Sequence, residues 1–196
     1  IVNVHVAPGL GNAMGNLYNA KRAGSPLVVT AGNQGQPGHF HEIILWDDLP
    51  RIAEPLTKWA YEVRDVRDLE HAVRRAIKVA LTPPTGPVFL SLPGDVLQTP
   101  TGGITGSPTR IPTRFPAAAE AIERAAKLLT EAKNPVLVTG QGIARSGAQD
   151  ELVALAEFLG AKVYGECASN AFSFPVTRPQ FAGDLPRLAG KMREIL

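Results

Sequence analysis

Short runs of β-branched residues alternate along this chain with stretches whose apolar residues recur at helical spacing. This alternation is typical of parallel sheets that are covered by helices on both faces. The expected fold is therefore α/β, with two partial Rossmann-like, doubly wound units. The predicted strands are Val2–Val6, Leu27–Thr30, Val88–Leu92, Val136–Thr139 and Lys162–Tyr164.

Two helices are predicted in the first half of the chain. Residues 65–81 give the clearer one, because Arg and Lys occupy one face and apolar residues occupy the other. The segment 82–87, rich in proline, ends this helix. The other helix, Gly11–Ala23, has few long apolar side chains and should pack closely against a neighbour. The apolar face of the clearer helix is expected to consist of Leu69, Val73, Ile77 and Leu81.

A stretch of proline, glycine and threonine without periodicity divides the chain. It predicts an interdomain linker at residues 99–115, between a first domain at 1–98 and a second domain at 116–196. In the second domain, helices over 117–132 and 148–159 alternate with the last two strands. This pattern indicates one complete crossover that is followed by further structure.

The charge balance excludes several classes of partner. With 20 basic and 18 acidic residues the formal net charge is +2, and no block of like charge stands out. Nucleic acid and anionic membranes are therefore poor candidates. No apolar run approaches the roughly 18 residues of a membrane span, and no signal peptide is evident, so a cytoplasmic location is expected. The single cysteine, Cys167, fits a reducing compartment.

The two ends of the chain indicate a piece of a longer protein. The chain begins at Ile1 without a methionine and stops at Leu196 inside a predicted helix. Natural domains rarely begin and end in this way. We therefore expect that further polypeptide belongs to the functional molecule.

A glycine-rich segment follows the first strand directly. Residues 7–15, Ala-Pro-Gly-Leu-Gly-Asn-Ala-Met-Gly, are predicted to form a turn that opens a helix, where backbone amides can approach a ligand closely. A dinucleotide fingerprint would also need an acid after the next strand to bind ribose. That strand leads instead into Asn33-Gln34, and no acid occurs before Glu42. A nicotinamide cofactor is therefore not expected here.

Three histidines, His5, His39 and His41, are candidates for a catalytic or metal-binding role. His5 lies near the end of the first strand, and the carboxyl ends of parallel strands are where open α/β sheets bind ligands. His39 and His41 are two residues apart, but no third metal ligand is evident. We therefore predict no metal site in this chain and interpret the segment around His39 as a loop that covers a site.

The second domain has its own glycine-rich segment at residues 140–147. An acid, Glu166, follows the next strand at a distance that suits ribose recognition. This spacing is a hint of a nucleotide. A structural turn without a ligand is the favoured interpretation.

Several segments resemble a known enzyme family. They are residues 3–17, Asn-Val-His-Val-Ala-Pro-Gly-Leu-Gly-Asn-Ala-Met-Gly-Asn-Leu, residues 25–32, residues 58–62, Lys-Trp-Ala-Tyr-Glu, and residues 86–93, Gly-Pro-Val-Phe-Leu-Ser-Leu-Pro. They resemble the pyrimidine-binding domain of thiamine diphosphate enzymes of the benzoylformate decarboxylase and acetolactate synthase type. Residues 174–183 are similar to the start of that family's central domain.

The resemblance implies a three-domain subunit that uses thiamine diphosphate and Mg²⁺ to act on a small 2-keto acid. The chain would hold the back of the pyrimidine domain and the front of the central domain. No Gly-Asp-Gly motif, which begins the family's metal loop, occurs in the sequence, so the Mg²⁺ site is expected outside this chain. The isolated chain is therefore expected to be inactive, and the complete protein to be a homodimer or homotetramer.

The resemblance also assigns roles to individual residues. His5 aligns with the histidine that benzoylformate decarboxylases use for substrate binding and proton transfer. Pro8 and Asn12 fall where relatives contact the aminopyrimidine ring of the cofactor, and Gly9 between them is counted with the cofactor-binding residues. Asn33 occupies a position where relatives usually have glutamine, and it is counted with the cofactor-binding residues.

Two alternatives remain open from the sequence. Acetolactate synthases usually carry Thr-Ser-Gly-Pro-Gly where this chain has His-Val-Ala-Pro-Gly at residues 5–9, so His5 favours a decarboxylase. The chain could instead be a non-catalytic module that serves in assembly or binds FAD or ADP, because some central domains of the family bind these nucleotides. FAD is the less favoured cofactor.

Overall fold

A computed structural model of the chain describes residues 1–103, 106, 110–112 and 116–195. The chain divides into two compact units, Ile1–Thr113 and Arg114–Leu196. The predicted linker at 99–115 lies partly outside the described residues, and its described positions carry no helix or strand. The predicted α/β fold is confirmed, because every strand pair in both units is parallel.

The first unit is built on a four-stranded parallel sheet. Its strands are β1 (Val2–His5), β2 (Val28–Asn33), β3 (Ala60–Glu62) and β4 (Val88–Pro93). Their order in the sheet is β1-β2-β4-β3. Since all four strands are parallel, their carboxyl ends meet at one edge of the sheet.

Helices and short 3₁₀ turns connect these strands. The helices are α1 (Val6–Ala23), α2 (Leu49–Ala53), α3 (Leu69–Leu81) and α4 (Gly94–Gln98), and the 3₁₀ turns are Gln36–His41, Glu54–Leu56 and Val66–Asp68. The predicted helix over residues 65–81 is thus a 3₁₀ turn followed by α3.

The sheet is buried on both faces, because alternate residues of a strand point to opposite sides. On one face Val29, Ala31 and Phe89 pack with residues of α1 and α2. On the other face Val28, Val88 and Leu90 pack with α3. The helices therefore cover both faces of the sheet, as the alternation in the sequence predicts.

The glycine-rich segment is not a turn. β1 ends at His5, and α1 begins at Val6, so residues 7–15 form the first half of a helix. The predicted start of this helix at Gly11 is wrong by five residues. The reversal from strand to helix takes place at Val6, whose φ is +48°, so no glycine is needed to make it.

The predicted apolar face of α3 is only partly the face that packs on the sheet. The residues of α3 that are buried are Ala72, Ala76 and Ala80, whereas Ile77 is 36% exposed. Leu69 and Val73, which belong to the predicted face, are partly buried and pack against this cluster. Small side chains allow the helix axis to come close to the sheet, so the alanine row takes the position that the larger residues were expected to occupy.

We expect Ala76→Leu to destabilise the first unit by about 1–3 kcal/mol, because the side chain of Ala76 is fully buried and overpacking forces neighbours from their rotamers. Urea unfolding followed by tryptophan fluorescence measures this effect, since both tryptophans, Trp46 and Trp59, lie in the first unit. Lys78→Leu, on the exposed side of α3, is the control. Equal stability of the two variants would contradict the alanine-packed face.

The second unit contains a three-stranded parallel sheet in the order β5-β6-β7. Its strands are β5 (Val136–Thr139), β6 (Lys162–Gly165) and β7 (Phe181–Asp184), and its helices are α5 (Ala119–Glu131), α6 (Gln141–Ser146), α7 (Gln149–Leu159) and α8 (Ala189–Ile195). The predicted strands and the two predicted helices are confirmed to within two residues at each end. The glycine-rich segment at 140–147 is again mostly a helix, α6, rather than a turn.

Across the described part of the chain, no helix has both the length and the apolar character that crossing a membrane requires.

Candidate functional site

Polar side chains collect at the carboxyl edge of the first sheet. His5 ends β1, Asn33 ends β2 and Glu62 ends β3, while Ser91 lies near the end of β4. Open α/β sheets bind ligands at this edge, because helix N-termini and loop side chains converge there. The edge is therefore the candidate functional site of the first unit.

His5 is exposed at this edge, next to a residue without a side chain. It pairs with Gly32 of β2. A Cβ built on Gly32 would lie 3.4 Å from Nδ1 of His5, so the imidazole rests against the bare backbone of the neighbouring strand. A larger residue at position 32 would compete with the ring for this space. The arrangement leaves the imidazole accessible from the outside of the sheet.

Val6 makes the sharp connection between β1 and α1. Its φ of +48° lies in the left-handed region, which β-branched residues rarely adopt. Its side chain is nonetheless only 5% exposed. Such backbone strain costs on the order of 1–3 kcal/mol and is often found at functional sites. The turn places the first residues of α1 directly beside His5.

The first two turns of α1 present the other predicted residues. Pro8 is in the first turn, where its missing N–H costs no helical hydrogen bond. Pro8 and Asn12 are both exposed and four residues apart, so they share one face of α1. Gly9 lies against β1, because a Cβ there would be 3.6 Å from Cβ of Val4. The structure thus brings Pro8 and Asn12 together on the open side of the edge.

The same region of α1 contains two glycines that face open space. A Cβ on Gly11 or on Gly15 would meet no other atom within 4 Å among the described residues. A glycine inside a helix costs about 1 kcal/mol relative to alanine. The packing of this unit therefore does not explain why these positions are glycine, whereas close approach of another molecule would.

Asn33 is buried, at 6% exposure, and its side chain is engaged within the protein. Its Nδ2 donates to Oε2 of Glu62 at 3.0 Å and to the carbonyl of Asp47 at 3.2 Å. Its Oδ1 accepts from the N–H of Gln34 at 2.9 Å. The predicted contact of Asn33 with a cofactor stays a prediction, and the observed role of the side chain is to hold neighbouring segments.

Residues 34–48, which we call the covering loop, cross the carboxyl edge between β2 and α2. Asp95 in α4 anchors the start of this loop, since its two carboxylate oxygens accept from the backbone N–H and the side-chain amide of Gln36, each at 3.0 Å. Partial burial raises the pKa of Asp95, but hydrogen bonds from Gln36 and from the N–H groups of α4 lower it more. The pKa therefore lies below the ordinary 3.8.

The lowered pKa of Asp95 predicts a loss of stability in acid. The contribution of this carboxylate should be fully present above its ordinary pKa of 3.8 and should disappear as the pH falls through the lower value of the folded protein. We expect Asp95→Asn, which cannot titrate, to lose less stability than the parent when urea unfolding is measured at pH 5 and again at pH 2.5. An identical acid-induced loss in parent and variant would contradict this assignment.

The two histidines of the covering loop, His39 and His41, lie in different environments. His39 points inward, with Nε2 at 2.8 Å from the carbonyl of Gln34, while His41 is exposed. Within residues 1–103, 106, 110–112 and 116–195, no group of three histidine, cysteine or acidic side chains is placed to hold a metal ion. The structure places this segment across the carboxyl edge, and its role as a loop that covers a site stays a prediction.

The second unit has a cavity of about 470 Å³, which Thr139, Gly165, Glu166 and Asp184 border at the carboxyl ends of its strands. The carboxyl group of Glu166 packs against Gly140, where a Cβ would come within 2.6 Å of it. Asp184 packs in the same way against Gly165. The carboxylates of Glu166 and Asp184 therefore cover the backbone of Gly140 and Gly165. Backbone N–H groups at these positions are the donors that a nucleotide phosphate would need.

Comparison with known proteins connects both units to one family. Residues 122–194 match the family model of the thiamine pyrophosphate enzyme central domain. The whole chain aligns with benzoylformate decarboxylase from Pseudomonas aeruginosa, with 34% identity over 198 residues. Thiamine pyrophosphate is the same cofactor as thiamine diphosphate. The chain belongs to the thiamine diphosphate-dependent enzyme family.

Two further relatives of this thiamine diphosphate family also match most of the chain. The acetolactate synthase large subunit from Corynebacterium glutamicum is 31% identical over 159 residues, which is 80% of this chain and 25% of that protein. The crystal structure of benzoylformate decarboxylase from Polynucleobacter necessarius matches with a TM-score of 0.87 and 36% identity, over 94% of this chain and 35% of that one. The Pseudomonas protein is covered over 38% of its length by all of this chain. The chain thus spans well under half of each relative.

Sequence reasoning missed three residues at the carboxyl edge of the first sheet, namely Val6, Glu62 and Asp95. Asp95 follows a buried strand and a proline-glycine pair, which is a usable signal for a residue at the carboxyl edge of a sheet. Glu62 ends a strand of only three residues, which periodicity does not detect. No sequence signal marks Val6, because its conformation opposes the preference of valine.

Proposed function

We propose that this chain forms the pyrimidine side of a thiamine diphosphate site in a longer enzyme that cleaves 2-keto acids of the benzoylformate type. The observation that carries the proposal is the exposed His5 at the carboxyl edge, beside the open face of α1 with Pro8 and Asn12. The relatives that match the chain are decarboxylases and synthases of this cofactor family.

The residues at the edge fit a flat heterocyclic ring. Gly11 and Gly15 leave the face of α1 open, and Pro8 and Asn12 add an apolar surface and a hydrogen-bonding amide to it. When bound, thiamine diphosphate supplies the electron sink that allows a 2-keto acid to lose carbon dioxide. The contribution of Pro8, Gly9 and Asn12 would be to orient the ring and to exclude water from one side of it.

His5 would hold or move a proton next to this surface. Imidazole can act as donor and as acceptor, and proton transfer by a positioned side chain commonly accelerates a reaction by about 10²–10⁴-fold. The ring of His5 lies over Gly32 and is accessible, so a substrate carboxylate or carbonyl oxygen can reach it. We propose substrate binding and proton transfer as its role.

The decarboxylase assignment can be tested against the carboligase alternative with the full-length protein. Carbon dioxide release from benzoylformate and acetolactate formation from pyruvate are measured with added thiamine diphosphate and Mg²⁺. Faster turnover of the aryl 2-keto acid supports the proposal, whereas efficient acetolactate formation with little turnover of benzoylformate would favour the synthase. Activity that does not depend on thiamine diphosphate would refute both.

The cavity of the second unit keeps a second candidate open, namely a module that binds FAD or ADP. Its position at the carboxyl ends of β5, β6 and β7 suits a nucleotide, but the carboxylates of Glu166 and Asp184 oppose phosphate groups. Titration of FAD and of ADP against the protein, followed by melting temperature, tests this candidate. Saturable stabilisation by either nucleotide would support it.

The Mg²⁺ site and the oligomeric state concern the complete enzyme rather than this chain alone. The described residues offer no cluster of acidic or histidine ligands for Mg²⁺, so we propose that another part of the protein holds the metal. We further propose a homodimer or homotetramer in which the α1 face of one subunit completes its site with a second subunit. A sedimentation measurement on the full-length protein tests the oligomeric state.

A further inference from the structure

A single carboxylate oxygen connects three strands at the carboxyl edge of the first sheet. Glu62, at the end of β3, has a side chain that is only 14% exposed. Its Oε2 accepts from Oγ of Ser91 at 2.8 Å and from Nδ2 of Asn33 at 3.0 Å. Ser91 lies in β4 beside it, and Asn33 lies in β2, one strand further away. A carboxylate this far from water requires such hydrogen bonds.

The same carboxylate is linked to both halves of the covering loop, directly at His39 and through Asn33 at Asp47. Its Oε1 lies 3.9 Å from Nδ1 of His39, and the ring of His39 packs on Trp46 with centroids 5.2 Å apart. Asn33, which Oε2 binds, also donates to the carbonyl of Asp47 at the end of the loop. Glu62 therefore meets the loop near its middle and, through Asn33, near its end.

The covering loop in turn touches the first turn of α1. The carbonyl of Leu45 accepts a hydrogen bond from the N–H of Ala7 at 3.4 Å. Ala7 stands between Val6 and Pro8, two residues after His5. A shift of the loop would thus reach the residues that face the open side of the edge.

We infer that Glu62 is a positioning residue, which fixes the covering loop and through it the first turn of α1 beside His5 and Pro8. The ligand of the open face of α1 rests on the proposed function. The contacts that connect Glu62, the covering loop and α1 do not depend on it. Removal of the carboxylate should free the loop and the first turn of α1 while leaving the sheet core intact. Replacement by glutamine should preserve the connection, because its amide oxygen can still accept from Asn33 and Ser91.

Hydrogen exchange on the full-length protein tests the connection without any need for activity. In Glu62→Ala we expect exchange at least about tenfold faster in peptides from residues 36–46 and in the peptide that contains Ala7, since a buried charge-assisted hydrogen-bond network is lost. Peptides from the buried strand β4 should keep the exchange of the parent. Glu62→Gln should restore most of the protection, and the exposed Glu54→Ala is the matched control.

Three outcomes would overturn the inference. They are parent-like exchange of the loop in Glu62→Ala, faster exchange that spreads equally over β4, and a loosened loop that leaves the Ala7 peptide unchanged. Turnover of a 2-keto acid by the unmodified protein is measured separately. Failure of that assay would refute the proposed function and leave the exchange result to decide the role of Glu62.

Discussion

Conversion of His5 to alanine in the full-length protein should lower the turnover of an aryl 2-keto acid by about 100-fold or more. The imidazole is exposed at the carboxyl edge and rests on Gly32, so its removal takes away a proton donor and acceptor without unpacking the core. The affinity for thiamine diphosphate should change little, because the proposed ring contacts come from Pro8 and Asn12.

Two measurements separate these effects. Steady-state kinetics give kcat and KM, and a cofactor titration that follows intrinsic fluorescence gives the Kd for thiamine diphosphate. His71→Ala is the control, because His71 is exposed on α3, which packs on the face of the sheet opposite to α1. Equal turnover of His5→Ala and the parent would remove His5 from the mechanism.

Replacement of Phe89 by alanine should destabilise the first unit by about 3–5 kcal/mol. Phe89 lies in β4, is fully buried and packs in a cluster with Leu10, Val29 and Leu49. Loss of the ring removes this contact between the sheet and the helices α1 and α2 and leaves a cavity. Since whole domains are stable by about 5–15 kcal/mol, this change should remove a large part of the stability.

Phe40→Ala is the matched control for this change, because Phe40 is 90% exposed in the covering loop. Its effect on the free energy of unfolding should stay within about 0.5 kcal/mol. Urea unfolding of both variants is followed by the fluorescence of Trp46 and Trp59, which reports only the first unit. Equal effects of the two substitutions would contradict the placement of Phe89 at the centre of the core.

The parallel α/β fold was predictable because four of the five predicted strands contain three or more apolar residues. Two strands were missed for a physical reason. β3 has three residues and is an edge strand, and β7 carries a glycine and ends in an aspartate, so neither produces a recognisable apolar run. Their places in the sheets depend on pairing with β4 and β6, which local sequence does not reveal.

The face of α3 that packs on the sheet also depends on tertiary structure. Both Leu69–Leu81 at four-residue spacing and the row Ala72, Ala76 and Ala80 satisfy the helical period. In the structure the alanine row is buried against the sheet, while Leu69 and Val73 lie at its side, and periodicity alone does not distinguish these two rows.

The candidate site was only partly accessible from sequence. His5 was predicted at the carboxyl edge, and the structure places it there with Pro8 and Asn12 nearby. The side-chain hydrogen bonds of Glu62 and Asp95 to Asn33, Ser91 and Gln36 join residues 29 or more positions apart in the chain. Such contacts form only after the strands have paired.

The joint between β1 and α1 is subject to two demands that no one amino acid satisfies. Position 6 holds a buried side chain, which favours an apolar residue, and its φ of +48° favours glycine or asparagine. Valine meets the first demand at the expense of the second. Replacement of Val6 by glycine should therefore relieve the backbone strain and at the same time remove a buried side chain, so that its two effects on stability oppose each other.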